Sequence, residues 1–343
     1  VNIRLHRYQL PLEHAFTISR ETTTVQDTFV VELEQDGYSG FGESTTNQYY
    51  GHTLDSMSQA AERCRGILAA FEFGDPAQLS EQLRRELGKD SFTLSAIDEA
   101  VYDLDGKLRG QPTYRTLGLD WQPTLAKSSY TIGIDTVPRM LEKLRERPGW
   151  PIYKIKLGTR HDVEIVRQLR EATDAILRVD ANCGWTPEET IANSGKLKDL
   201  GVEFIEQPLP VEAPDADHER VFRDSVLPII ADESCQVESD VAACQERFHG
   251  VNVKLCKCGG LTPGVRMLRH AREMGMKTMI GCMVESSVGI SAAAQLLPLL
   301  DYVDLDGAVL LAEDIADGAR VEKGVIELAS TPGNGVTLRK KST

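Results

Sequence analysis

Three carboxylates and two lysines stand out because each falls at or near the end of a short, largely apolar run. Asp180 closes "ILRVD", Glu206 lies in "VEFIEQPL" and Asp232 in "PIIADES", while Lys156 ends "YKIK" and Lys254 lies in "GVNVKLC". Three anions gathered in one partly buried place repel unless a cation sits between them. Hard oxygen ligands in that number suit Mg2+, with water or substrate completing the octahedron. A single Asp or Asn before a helix is commonly an N-cap, and that reading accounts for one of the three. It accounts poorly for Glu206, because Glu is a weak cap, so the combination points to a metal.

A lone lysine is ordinarily a snorkelling or ion-pairing side chain. Two lysines facing each other across three acidic strand ends instead suit general acid/base chemistry, with neighbouring positive charge expected to bring an ammonium down to roughly 7–8. One lysine takes a proton from carbon and its opposite number returns one. The matching reaction is abstraction of a proton next to a carboxylate, whose enolate forms only where preorganised cations hold the developing charge. A base on each face allows inversion at carbon, hence racemisation or epimerisation.

These side chains need a frame that brings distant strand ends together. From about residue 126 the chain alternates strands with amphipathic helices, the pattern of parallel βα repeats. Eight strands are expected at 128–134, 153–158, 176–182, 202–209, 228–234, 250–256, 277–284 and 302–310, with helices at 161–173, 187–200, 238–247 and 262–274 among the connections. Eight parallel strands close into a barrel with its chemistry at the strands' C-terminal ends. No Gly-rich phosphate fingerprint follows the early strands, which disfavours an open doubly wound sheet. In the barrel, strands 2 and 6 are opposite, so Lys156 and Lys254 flank the acids of strands 3 to 5. Strand parity puts Asn252, Lys254 and Cys256 on one face and turns Lys257 away. Strand 8 adds Asp304 and Asp306 in "DLDG", across the barrel from strand 4 and away from the metal. Such a pair suits a substrate ammonium, although one Asp in a turn or cap is the ordinary alternative.

Before the barrel, "NIRLHRYQL" and "DTFVVELEQDGYSGFGES" alternate in polarity around an Asp36-Gly37 hairpin signal, and helical periodicity follows over 54–73, 78–88 and 95–110. The expected division is an α+β unit over 1–120, the barrel over 121–318, and a segment over 319–343 whose strand-like pieces return to the N-terminal sheet. A net charge of −14 argues against nonspecific nucleic-acid binding and against anionic membranes. No apolar run reaches the roughly 18 residues of a membrane span, and "VNIRLHRYQLPL" lacks a signal peptide's apolar core. A cytoplasmic protein acting on a small molecule is expected, with self-association into a homo-oligomer left open. Seven scattered cysteines do not form a disulfide framework, and the Cys256-x-Cys258 pair lacks zinc-site partners, which makes it ordinary core filler.

In this order and at these intervals, "YKIKLG", "VDAN", "IEQPL", "ADES" and "VNVKLCKCGGLT" resemble the enolase superfamily, muconate lactonizing enzyme subgroup, over nearly the whole chain. "DLDG" on the last strand resembles the dipeptide epimerases of the L-Ala-D/L-Glu epimerase type. The resemblance implies a (β/α)7β TIM-like barrel with an N-terminal α+β capping domain completed by the C-terminal segment. It implies Asp180, Glu206 and Asp232 as Mg2+ ligands, and Lys156 and Lys254 as the acid/base pair. By the same resemblance Lys154 supports the substrate carboxylate and the metal site, and Asp304 and Asp306 bind the dipeptide ammonium. Arg20 matches a capping-loop arginine, Ser128 a small hydroxyl on strand 1, and Cys282, Met283 and Val284 a pocket-lining segment on strand 7. Side-chain sorting falls to the loop over 45–53. The implied function is epimerisation of dipeptides by 1,1-proton transfer at the α-carbon of the C-terminal residue. N-acylamino acid racemase, o-succinylbenzoate synthase and muconate cycloisomerase would use the same metal and lysines but need no acidic pair. A catalytically dead scaffold would be expected to have lost a lysine or a ligand.

Overall fold

The computed structural model describes residues 1–72, 74–122 and 125–340. Strands β1 (Asn2–Thr17), β2 (Thr22–Gln35) and β3 (Tyr38–Thr45) form an antiparallel meander. Asp36 and Gly37 turn between β2 and β3 with φ of 51° and 82°, the left-handed geometry that an Asp-Gly hairpin accommodates. Helices α1 (Leu54–Ala70), α2 (Pro76–Leu87) and α3 (Ser91–Arg109) follow, then the single turn α4 (Thr113–Thr116). Their starts are written locally: Thr53 forms a capping box with Ser56, while Asp75 and Asp90 cap α2 and α3. Helix α3 lies so close to β3 that a Cβ on Gly42 would stand 2.1 Å from the Ala96 carbonyl oxygen. Only glycine allows that approach.

The barrel strands are β4 (Tyr130–Ile132), β5 (Ile152–Lys156), β6 (Ile176–Asp180), β7 (Val202–Glu206), β8 (Ile229–Ala231), β9 (Gly250–Val253), β10 (Lys277–Gly281) and β11 (Tyr302–Asp304). Each is parallel to the next, and a bridge between Ser128 and Val303 joins the last strand to the first. The intervening helices are α5 (Val137–Glu146), α6 (Asp162–Arg170), α7 (Pro187–Asp199), α8 (Asp215–Asp224), α9 (Glu238–Ala243), α10 (Leu255–Cys258), α11 (Leu261–Glu273) and α12 (Ser287–Ala294), with α10 and α11 sharing one connection. All eight expected strands are present, several ending earlier than the sequence pattern suggested. Tyr153, Ile155, Leu177, Val179, Ile205 and Val253 pack in the main apolar cluster with the helices. The alternate positions turn inward, where Phe204, Ile230, Met279 and Tyr302 form a small apolar cluster. The Arg178 guanidinium stacks 5.2 Å from the Phe204 ring and 5.1 Å from that of Tyr302.

Beyond the barrel, β12 (Ala316–Asp317) pairs with β15 (Thr337–Leu338), and β13 (Arg320–Glu322) with β14 (Val325–Glu327). The pieces expected to rejoin the N-terminal sheet therefore pair with each other. Lys323 and Gly324, both at positive φ, turn the chain back at once, and the Gly324 carbonyl accepts from Ser128 N beside the start of the first barrel strand. Contact with the N-terminal unit comes later, where Thr113 N donates to Gly333 O and Asn334 N donates to Asp103 Oδ1.

Buried acids of α3 hold the two halves together. Asp98 accepts from Thr262 N and Oγ1 at the start of α11, and Asp103 accepts from Phe41 N and Asn334 N. Glu99 accepts from Glu43 N, and Glu43 in turn caps α12 by accepting from Ser286 N and Gly289 N. Glu285 completes this seam by accepting from Met283 N at 2.8 Å. Burial, reinforced by the charge of Glu43, pushes the Glu285 carboxyl up to about 8. Since the unfolded chain ionises this group at its ordinary, lower value, its contribution to stability is full below that value and lost as pH rises through about 8. Glu285→Gln removes the titration. The gain in melting temperature over wild type is expected to widen from pH 4.5 to pH 8 in a calorimetric pH series, and a gap independent of pH would refute the assignment.

Candidate active site

Register puts the charged residues in one row. Lys156 pairs with Asp180 across β5 and β6, and Asp180 with Glu206 across β6 and β7. Asp232 follows directly after β8. All three carboxylates are buried, and one ligand oxygen from each lies within 4.8 Å of the other two. Lysines interleave with them. Lys154 Nζ reaches Glu206 Oε2 at 2.7 Å, Asp304 Oδ2 at 2.9 Å and Asp180 Oδ2 at 3.4 Å. Lys156 Nζ sits 2.7 Å from Asp180, and Lys254 Nζ sits 2.9 Å from Asp232 Oδ2. Lys257 meets the other oxygen of Asp232 at 2.5 Å. Gly281 makes room for this layer, since a Cβ there would stand 2.8 Å from the Asn252 amide and 3.1 Å from Lys254 Cε.

Burial drives every one of these carboxyls upward, and the lysines decide the outcome. At Asp180, Lys156 and Lys154 outweigh burial and hold the group below its usual range. At Asp232, Lys254 and Lys257 hold it well below. Lys154 does the same for Asp304, which falls to about 2 despite burial. Glu206 is the exception: burial pushes it up to about 7, and Lys154 offsets only part of that. Its Oε1 accepts from Asn252 Nδ2 at 2.8 Å, whereas Oε2 finds no partner in hydrogen-bond geometry. A dry carboxylate whose second oxygen has only the Lys154 ion pair, beside two further carboxylates, is a donor set that a divalent cation with hard oxygen ligands fits. Lys254 differs from expectation. Burial lowers Lys254, but Asp232 outweighs burial and raises it well above the ordinary value; positive charge placed among the carboxylates would compete with that attraction.

Above the row opens a cavity of about 350 Å3. Lys156 and Lys254 reach it from β5 and from the end of β9, four strands apart in an eight-strand barrel, with Asp232 between them in strand order. Asp304, Asp306, Arg20, Cys282, Met283 and Val284 also line it. Arg20 pairs with Glu233 at 2.7 Å and stacks over the Tyr49 ring at 4.3 Å, so the loop between β1 and β2 closes on the barrel.

Three expectations are corrected. Ser128 does not line the cavity: its hydroxyl is buried in the barrel closure, accepting from Leu305 N at 2.8 Å, and the residue of this first strand that lines the cavity is Thr131. Strand β9 ends at Val253, so parity fails beyond Lys254; Cys256 packs in the core of the N-terminal unit, and Lys257 swings back onto Asp232. Asp304 is not remote from the acids, because Lys154 links it directly to Glu206 and Asp180. Its Oδ1 accepts from Ser129 Oγ at 2.6 Å and from Thr131 Oγ1 at 3.2 Å, which leaves Asp306 as the less engaged of the pair. Asp306 accepts from Thr131 N, and burial together with Asp304 pushes it up to about 7. Sequence reasoning also missed Gln207, whose Oε1 accepts from Asp232 N and Ser234 N and so sets the turn carrying Asp232. Its position directly after Glu206 was the available signal. For Asn252 the signal was parity with Lys254.

Known proteins resemble this chain in sequence and in fold. Residues 2–118 match the mandelate racemase / muconate lactonizing enzyme N-terminal domain, and residues 137–342 match the enolase C-terminal domain-like family. An L-Ala-D/L-amino acid epimerase of Flavobacterium johnsoniae is 51% identical over 97% of this chain and 98% of its own. One from Maribacter sp. is 51% identical over 99% and 100%. In three dimensions the chain is similar to a dipeptide epimerase of Cytophaga hutchinsonii crystallised with Mg and the dipeptide D-Ala-L-Val, with a TM-score of 0.92, 27% identity, and 99% and 96% of the two chains covered. Sequence, fold and a buried carboxylate triad thus agree that this chain belongs to the muconate lactonizing enzyme subgroup of the enolase superfamily, with an epimerase-type site at the mouth of its barrel.

Proposed function

We propose that this protein epimerises dipeptides at the α-carbon of the C-terminal residue, with Mg2+ held by Asp180, Glu206 and Asp232. The observation that carries the reading is the placement of Lys156 and Lys254 on opposite strands of one cavity that also contains Asp304 and Asp306. The relatives' epimerase activities and the dipeptide bound to the Cytophaga hutchinsonii enzyme support it.

When bound, the metal ion supplies positive charge to the substrate carboxylate and so makes the α-proton accessible. Lys156 and Lys254 approach that carbon from opposite faces. One, deprotonated, removes the proton, and the other delivers a proton to the far face. Lys154, buried beneath with an ammonium between Glu206, Asp180 and Asp304, keeps the carboxylate layer from flying apart. Asp306 receives the substrate ammonium. Asp304 is already engaged by Lys154, Ser129 and Thr131, and so orients that end by charge.

The reading is tested by NMR in D2O with Mg2+ and a dipeptide library, where deuterium is expected at the α-carbon of the C-terminal residue. No incorporation from any dipeptide would sink the proposal. Lys156→Ala and Lys254→Ala should each reduce epimerisation by about 10²–10⁴-fold. Each should also leave α-proton exchange in only one of the two epimers, a different one for each variant; loss of exchange from the same epimer in both would contradict two opposed bases. Asp306→Asn is expected to lower kcat/KM for dipeptides by roughly 10- to 100-fold, the range for a hydrogen bond to a charged group. N-acylated analogues, which lack the ammonium, should be nearly unaffected. Equal losses for both substrate types would remove the ammonium assignment and favour an N-acylamino acid racemase.

A further inference from the structure

Lys257 is as buried as the lysines of the cavity but is not among the residues lining it. It sits on the single helical turn α10, behind Asp232. Its Nζ lies 2.5 Å from Asp232 Oδ1, 2.6 Å from Asp232 O, 3.2 Å from Cys235 O and 3.3 Å from Asn252 O. An ammonium has three protons, so all are occupied and the group has no donor left for a substrate. A fully buried lysine survives only when such partners repay its lost hydration. The contacts are also unevenly placed with respect to the chemistry. They take Oδ1 of Asp232 and leave Oδ2, the oxygen beside Lys254, on the side of the cavity.

We infer that Lys257 is a positioning residue that locks the Asp232 carboxylate so that a single oxygen, Oδ2, is presented to the cation. The inference rests on the reading of Asp232 as a metal ligand. With Oδ1 tied from behind, Asp232 cannot chelate through both oxygens, and a coordination position stays free for the substrate carboxylate. The same ammonium joins the turn after β8, through Asp232 and Cys235, to Asn252 on β9, whose side chain donates to Glu206, so it ties two of the three carboxylates into one hydrogen-bonded unit.

Lys257→Met should weaken Mg2+ binding by about tenfold or more, as loss of a group supporting a metal ligand does, and lower kcat more than it changes KM. Calorimetric Mg2+ titration reads the first effect without substrate. Lys257→Arg keeps the charge, yet its planar fork cannot serve four acceptors in different directions, so a smaller loss of about threefold to tenfold in Mg2+ affinity is expected. Should the Met variant not fold, the Arg variant decides by the same titration. A folded variant with Mg2+ affinity and kcat within twofold of wild type overturns the inference, as does failure of both variants to fold, which would make Lys257 a structural tie alone. Wild-type protein that takes up no Mg2+ would instead overturn the metal reading itself.

Discussion

The mouth of the barrel is held by mutual compensation of charges that have left water. Asp180, Glu206, Asp232 and Asp304 face Lys154, Lys156, Lys254 and Lys257 in a layer where each of these residues is less than a tenth exposed. Breaking such a set from one side leaves an unpaired buried charge, at a cost of about 3–5 kcal/mol. That cost explains why the layer is connected in every direction. Lys154 touches three carboxylates, Asp232 is gripped by two lysines, and Asn252 steadies Glu206. The apolar face of the same strands offsets the desolvation by packing against the helices, so one strand serves two opposite needs through its twofold alternation.

The seam between the halves follows a different electrostatic rule. Asp98, Glu99, Asp103 and Glu43 are as buried as the acids of the cavity, yet most of their partners are backbone N–H groups and hydroxyls at the starts of neighbouring segments. Donors of that kind satisfy oxygens without cancelling charge, so burial wins and Asp98 is pushed up to about 6, Glu285 to about 8. In the site, lysines hold Asp180 and Asp232 down as anions ready for a cation. The wall segment over 282–284 lies between the two regimes, tied to the seam through Met283 N and open to the cavity on its other side.

Local patterning made most of this legible. Strand ends carrying Asp180, Glu206, Lys156 and Lys254 were readable because a carboxylate or ammonium after alternating apolar residues has few structural uses. The Asp36-Gly37 turn and the capped helices were readable because their causes lie within four residues. Local pattern is silent where a strand stops early or where partners are distant in sequence. Lys257 lies away from the cavity as strand parity implies, but its grip on Asp232 is not legible, because β9 gives way to a helical turn after Lys254. Ser128 lies in the barrel closure and Thr131 in the cavity wall, a division that the sequence does not mark.

By itself the sequence determined which groups are available and at what spacing: three acids, two opposed lysines, an acidic pair, and the alternation that turns them inward. Those follow from strand periodicity and the order of βα repeats, both local properties of the chain. Only the tertiary structure decided how the charges are shared. Lys154 joins Asp304 to the ligand set, Lys257 takes the back of Asp232, Arg20 spends its charge on Glu233, and Asp306 is left the less engaged acid of its pair. Coulombic partnership in a dry interior depends on distances of a few ångströms between residues up to 213 positions apart, and no local pattern encodes those.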